Sequence, residues 1–101
     1  MSRYVSKRKF ASPIDRAAVA ADWRARGFTC DLFVDPTGRA WLDFTHRANE
    51  LLAVAEGRLA VTVGDEQVIA EPGDEVFIPR GVLHSLRNIS GAATRWLYGY
   101  D

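Results

Sequence analysis

Two apolar runs separated by a short turn make up residues 73–88, which read GDEVFIPRGVLHSLRN. Pro79 fixes its own φ and lacks an N–H, and Gly81 tolerates a positive φ, so both residues favour a sharp reversal of the chain. The runs on either side have the composition of β-strands. The segment therefore predicts a strand that ends, turns and restarts carrying His84.

A second polar set lies upstream, at His46 and Glu50. Side chains alternate between the two faces of a strand. This alternation predicts a more apolar, inward face made of Ala40, Leu42, Phe44 and His46. In the next predicted strand, Glu50 shares a face with Leu52 and Val54. We therefore expect His46, Glu50 and His84 to lie near one another inside the protein.

These residues resemble the two sequence motifs of the cupin superfamily. The second motif, G-x5-P-x-G-x2-H-x3-N, is matched completely by Gly73, Pro79, Gly81, His84 and Asn88. The first, G-x5-H-x-H-x3,4-E-x6-G, is matched in part by His46, Glu50 and Gly57. Phe44 stands where its first histidine would be, and its leading glycine falls near Gly38. The chain thus resembles small cupins that consist of one conserved barrel.

The resemblance implies a metal site whose ligands are His46, Glu50 and His84. Two imidazoles and one carboxylate form the donor set of a facial triad for non-haem iron(II). Zinc, manganese, nickel or copper are alternative metals for the same set. The resemblance fails at Phe44, so a metal-free barrel, in which the two histidines and Glu50 bond to one another, is the other interpretation.

The predicted fold is all-β, a cupin-like jelly-roll barrel with one N-terminal α-helix. Ser12 is the predicted N-cap with Pro13 at the first helical position, and Gly27 ends the helix. Its apolar side is predicted from Ile14, Ala17, Ala18, Ala21 and Ala25. From residue 28 onward, turn signals recur about every 8 to 12 residues, as in sandwiches and barrels. We expect one domain over residues 1–101, with the N-terminal segment and helix in 1–27 and the barrel in 28–101.

Composition narrows the possible partners. Thirteen basic residues balance thirteen acidic ones, so no bulk charge attracts nucleic acid or an anionic membrane. Cys30 is the only cysteine, which excludes an intrachain disulfide. We find no apolar run long enough to span a bilayer and no signal peptide, so neither nucleic acid nor a membrane is an expected partner and the cytoplasm is the expected compartment.

The sequence leaves two classes of function open. One is a barrel that binds a divalent metal and a small organic molecule as an oxygenase or isomerase type of enzyme, with no catalytic residue assigned. The other is a non-enzymatic barrel, metal-free or not, that binds or senses a small molecule. Five aromatic residues either line its pocket or fill the core: Trp41, Phe44, Trp96, Tyr98 and Tyr100. A homodimer is expected, because small cupins pair and residues 1–10 look like an edge strand without a partner.

Overall fold

Two antiparallel sheets form the molecule in a computed structural model that describes residues 2–101. The larger sheet has the order β1-β7-β4-β9-β2 and the smaller one β3-β8-β5-β6. In chain order the elements are β1 (Val5–Ser6), α1 (Arg16–Ala25), β2 (Asp31–Asp35), β3 (Ala40–Phe44), β4 (Glu50–Glu56), β5 (Leu59–Val63), β6 (Glu66–Ala70), β7 (Glu75–Ile78), β8 (His84–Asn88) and β9 (Thr94–Tyr100). The predicted all-β architecture with one N-terminal helix is confirmed.

The main core lies between the two sheets and follows from side-chain alternation. On β5, Leu59, Val61 and Val63 are buried while the residues between them are half exposed. On β4, both faces are buried: Leu52 and Val54 face the other sheet, whereas Leu51 and Ala53 face the helix. Strand β4 is therefore the centre of the molecule, and its first residue is Glu50.

The helix packs on the outer face of the larger sheet, but two details of its prediction are wrong. Its N-cap is Asp15 rather than Ser12, because the Asp15 carboxylate accepts hydrogen bonds from the N–H groups of Ala17 and Ala18 at 3.0 and 3.3 Å. Its buried residues are Val19 and Trp23. These large side chains, one turn apart, bury more apolar surface than the predicted alanine stripe, which is exposed.

One buried carboxylate fastens the helix to the sheet. Glu75 of β7 accepts a hydrogen bond from the Trp23 indole at 2.8 Å and two from the Arg26 guanidinium at 2.8 and 3.0 Å. A paired carboxylate with three donors avoids the cost of a lone buried charge. The helix thus closes the outer face of β4 and leaves the barrel interior to the site described below.

The N-terminal segment does form the predicted edge strand, but it has a partner. Strand β1 pairs antiparallel with β7, with Val5 opposite Val76. The Phe77 N–H also donates to the Tyr4 carbonyl at 2.7 Å. The premise that this strand lacks a partner within the chain, on which part of the homodimer prediction rested, is wrong.

A β-bulge in β3 changes which of its residues face inward. The register with β8 shifts between Trp41 and Phe44, and Asp43 has a φ of 58°. The extra residue lets both Trp41 and Phe44 face the interior, while Leu42 is 59% exposed. The prediction that Leu42 faces inward is therefore wrong, and that for Phe44 is confirmed.

Within the described part of the chain, no helix has the length and apolar character required to cross a bilayer.

Candidate metal centre

The turn between β7 and β8 positions His84 as its sequence predicts. Gly81 has a φ of 76°, and the Val82 N–H donates to the Pro79 carbonyl at 3.2 Å. The Gly81 N–H donates to the His46 carbonyl at 2.9 Å. The turn that presents His84 is thereby bonded directly to the loop that carries His46.

A second connection holds the His46 loop from the other side. The Asn49 side chain accepts a hydrogen bond from the Arg80 N–H at 2.8 Å and donates to the Asp101 carboxylate at 2.8 Å. The Asn49 N–H donates to the same carboxylate at 3.0 Å. The connection between β3 and β4 is therefore fixed at both ends, although His46 itself lies outside any strand.

Glu50 brings the three predicted ligands together. Its side chain is 4% exposed and lies on β4 between β7 and β9. Glu50 Oε1 is 3.4 Å from His46 Nε2 and 3.6 Å from His84 Nε2. One potential ligand atom from each residue lies within 4.8 Å of the other two.

A backbone contact fixes the tautomer of His84. Its Nδ1 lies 3.1 Å from the Val82 carbonyl, which can only accept a hydrogen bond. Nδ1 therefore carries the proton, and in the neutral ring Nε2 has a free lone pair on the side of Glu50. This is the arrangement typical of a metal-ligating histidine, whose second nitrogen donates to a carbonyl or carboxylate.

Burial favours the neutral forms of Glu50 and His46 when no metal is bound. It raises the pKa of Glu50 to about 7. Burial also lowers the pKa of His46, and the neighbouring His84 lowers it further. Neutral imidazole is the form that binds metal, so His46 is already suited to ligation. A cation bound beside Glu50 would favour its carboxylate form.

The donor set and its spacing fit a divalent transition metal. Nitrogen and carboxylate ligands lie about 2.0 to 2.2 Å from such an ion, which places neighbouring ligand atoms roughly 3 to 3.5 Å apart. The two distances from Glu50 Oε1, 3.4 and 3.6 Å, agree with this spacing to within a few tenths of an ångström. All three ligand atoms lie within 4.8 Å of one another. This is wider than the spacing around a bound ion, so the side chains would have to draw together to hold it, whereas the strands need not rearrange.

A cavity of about 230 Å³ adjoins the cluster and is walled by aromatic rings. Eight rings contact one another in a closed circuit, with neighbouring ring centres 4.9 to 6.4 Å apart. We call this set the aromatic belt; its members are, in order, Phe33, Trp41, Phe44, His84, His46, Tyr100, Tyr98 and Trp96. Both sheets contribute to it, so the belt crosses the interior twice. Leu86 and Glu50 complete the cavity wall.

Comparison with known proteins identifies the family. Residues 32–100 match the model of the Cupin domain family. The chain belongs to the cupin family. It is 33% identical over 67 residues to the uncharacterized protein SCO3923 of Streptomyces coelicolor, an alignment that covers 66% of this chain and 64% of that protein.

Solved cupin structures share the fold. The protein TT1209 from Thermus thermophilus is 27% identical and has a TM-score of 0.65, over 72% of this chain and 71% of that chain. Salicylate 1,2-dioxygenase from Pseudoaminobacter salicylatoxidans, solved as adducts with gentisate, is 22% identical with a TM-score of 0.66, over 73% of this chain and 20% of that chain. The second likeness shows a common fold.

Phe44 occupies the position that departs from the cupin motif. It lies opposite His84 in the pairing of β3 with β8, and the two rings are 6.4 Å apart. Its side chain lines the cavity and is 37% exposed, so it stands at the opening. A phenyl ring there cannot bind metal, and it narrows the entrance to the ligand cluster.

The other residues singled out from the sequence either line the cavity or hold the backbone around it. All five predicted aromatic residues line the cavity. Asn88 has a scaffold role: its amide donates to the carbonyls of Asp35, Pro36 and Ala92. The basic residues nearest to His84 in the sequence, Arg80 and Arg87, are exposed and do not line the cavity.

Phe33 and Leu86 were not predicted as site residues. The signal for Phe33 was its place between the more exposed Leu32 and Val34 on β2, which alternation puts on the opposite face. Leu86 follows His84 by two residues on β8 and so shares its face.

Proposed function

We propose that this cupin binds one divalent transition metal through His46, Glu50 and His84, and a small organic molecule in the adjoining cavity. The observation that supports the proposal is the convergence of two imidazole nitrogens on one buried carboxylate oxygen, at 3.4 and 3.6 Å. Buried carboxylates are normally paired or bound to metal. The metal is iron, zinc, manganese, nickel or copper, each of which accepts nitrogen and oxygen ligands.

We further propose that the protein is an enzyme of the oxygenase or isomerase type. A divalent metal at such a site supplies Lewis acidity toward a ligand oxygen or, with a redox-active ion, one-electron chemistry. The chain's own residues orient the ligand and exclude water: the aromatic belt surrounds it and His84 keeps one fixed tautomer. Without metal, burial raises the pKa of Glu50 to about 7, so binding of the metal would release the proton that Glu50 holds below that pH.

Metal binding is the first test of the proposal. Protein stripped with a chelator and then titrated with zinc or iron(II) should take up one equivalent, as measured by calorimetry and elemental analysis. His84→Ala and Glu50→Gln should each lower the affinity by at least about tenfold, the scale of losing a ligand's support. Glu56→Gln, an exposed carboxylate at the far end of the same strand, is the matched control and should bind as the wild type does. Unchanged uptake in both cluster variants would contradict the assignment.

A non-enzymatic barrel is the alternative, and Phe44 is the observation that favours it. Where the cupin motif has a fourth ligand, this chain has an apolar ring at the cavity opening. A protein that binds its ligand without turnover would give binding heat but neither oxygen consumption nor a new product across a substrate screen with each metal. Product formation that disappears in His84→Ala would decide for the enzyme.

We also propose a homodimer, now on the basis of β2. This strand is at the edge of the larger sheet, and its outward residues Leu32 and Val34 are 36% and 45% exposed. Light scattering should then give twice the 11.2 kDa chain mass. Val34→Lys should yield monomer, whereas Leu42→Lys, an exposed apolar position on β3, should not. A monomeric wild type at micromolar concentration would reject the proposal. The cytoplasmic location and the lack of nucleic-acid and membrane partners stay predictions.

A further inference from the structure

We infer that the ligand of this cavity is a compact planar ring, aromatic or heteroaromatic, that carries one oxygen substituent directed at His46, Glu50 and His84. The inference concerns the ligand of the site in the proposed function. The placement of the oxygen rests on that function, whereas the planar ring is inferred from the aromatic belt alone.

The size of the cavity limits the enclosed part of the ligand to one or two rings. An engineered protein cavity of about 150 Å³ binds benzene. The present cavity, at about 230 Å³, is larger by the volume of a few substituent atoms or a small fused ring. A nucleotide or an oligosaccharide is too large to be enclosed by it.

The inner wall of the cavity favours flat molecules. Trp41 comes from the smaller sheet and Trp96 from the larger one. Each contacts Phe33, with ring centres 5.6 and 5.5 Å apart. Both indoles therefore pack against Phe33, one from each sheet. A planar ring placed against these three side chains makes aromatic contacts on more than one edge or face, which a puckered ring of the same size cannot reproduce.

Polar groups are concentrated on one side of the cavity. Glu50 and the two imidazoles form one cluster, and the Tyr98 and Tyr100 rings join it to Trp96. The inner residues offer two polar groups, both indole N–H groups: that of Trp41 donates to Asp35, and that of Trp96 is buried without a partner in the described chain. A ligand hydroxyl group placed there could replace its hydrogen bonds to water only at the Trp96 N–H. We therefore expect the oxygen of the ligand to face the cluster, where three polar side chains converge.

The charge of the cavity wall excludes ligands with several negative charges. Among the described residues that line the cavity, none is lysine or arginine. A phosphate or a dicarboxylate would find no cationic side chain to neutralise its second charge. A single phenolate, carboxylate or carbonyl oxygen matches the one cluster available.

Two matched pairs of probes test the inference: benzoate against cyclohexanecarboxylate, and phenol against cyclohexanol. Within a pair the substituent is the same and the planarity of the ring differs. Phenol is also far more acidic than cyclohexanol, so that pair is compared in metal-free protein and the carboxylate pair in both forms. Isothermal titration with zinc-loaded and with metal-free protein gives the affinities. We expect the planar member of each pair to bind at least about tenfold more tightly. The saturated rings expose more apolar area, so burial of apolar surface alone would favour them or give no preference.

A variant pair locates the effect. Trp41→Leu removes one inner wall and should reduce the planar preference to about threefold or less. Leu42→Ala, on the same strand but 59% exposed, should leave it unchanged. Thermal melts of both variants establish that they fold.

The outcomes separate this inference from the proposed function. A planar preference in metal-free protein supports the ring assignment even if zinc uptake fails. One equivalent of zinc with no planar preference in either pair, or no binding of benzoate and phenol at all, overturns the ring assignment and leaves metal binding intact. Equal preference in Trp41→Leu and wild type also contradicts it.

Discussion

Replacing Phe44 with histidine tests the metal centre at the position where this chain departs from the cupin motif. Phe44 is 37% exposed and lines the cavity beside His84. Full burial of a phenylalanine contributes about 1.5 to 3 kcal/mol, so the substitution should cost roughly 1 to 2 kcal/mol in metal-free protein. The added imidazole stands at the cavity opening, where water can pair with its nitrogen atoms, so little further cost is expected.

With metal bound, the effect of Phe44→His on folding stability should change from a loss to a gain. Structural zinc sites with four ligands bind with about 10 to 16 kcal/mol, so one added ligand contributes on the order of 3 kcal/mol. That corresponds to roughly a hundredfold lower Kd. At a fixed zinc concentration well above Kd, a hundredfold tighter site adds about 2.7 kcal/mol of folded-state stability. Phe44→His should then be at least as stable as the wild type in zinc, although it is less stable in chelator.

Thermal melts in zinc and in chelator measure the change in stability caused by Phe44→His. Competition against a chromophoric chelator gives its Kd for zinc. Phe44→Leu is the control, because it removes the ring without adding a nitrogen and should lose stability in both conditions. The reasoning is refuted if Phe44→His is less stable in both conditions and its zinc affinity does not rise.

Three further predictions concern single groups. In metal-free protein, burial raises the pKa of Glu50 from 4.5 to about 7. The free energy of unfolding should therefore be highest below about pH 4.5 and fall as pH rises through 7. In urea unfolding, Glu50→Gln should be as stable as the wild type near pH 4 and about 3 kcal/mol more stable at pH 8. Burial alone would raise the pKa of Asp74, but hydrogen bonds from Lys7, Arg8 and Glu71 outweigh it and hold the pKa below its usual range. The contribution of ionised Asp74 to the free energy of unfolding is therefore lost as pH falls below about 4. In Asp74→Asn, the free energy of unfolding should decrease less steeply with falling pH in that range. Asp15→Ala should cost about 0.5 to 2 kcal/mol and Ser12→Ala much less, since Asp15 is the cap; equal costs would contradict this.

The sequence was most informative where structure is set locally. The turn at Pro79 and Gly81 is determined by the conformational limits of those two residues, so the position of His84 could be predicted. Glu50 could be placed with Leu52 and Val54 because β4 is regular throughout this part. The three candidate ligands therefore followed from two short segments.

Prediction failed where the outcome depends on contacts distant in sequence. The bulge in β3 places a non-glycine residue, Asp43, at a positive φ, and its N–H is bound by the Ser85 hydroxyl 42 positions away. Nothing within β3 indicates that partner. The helix start is similar: both Ser12 and Asp15 have side chains suited to capping, and only in the structure does Asp15 make the bonds to the Ala17 and Ala18 N–H groups.

Strand β9 has a consequence for the order in which the molecule assembles. It follows every other element of the described chain, lies between β4 and β2, and is the strand with which β2 pairs. It also supplies Trp96, Tyr98 and Tyr100. During folding, the cavity therefore has no closed wall until β9 inserts, and β2 stays unpaired until the same event. Such long-range closure is slow compared with hairpin formation. A nascent chain that stops before Thr94 would lack both the completed sheet and the binding site.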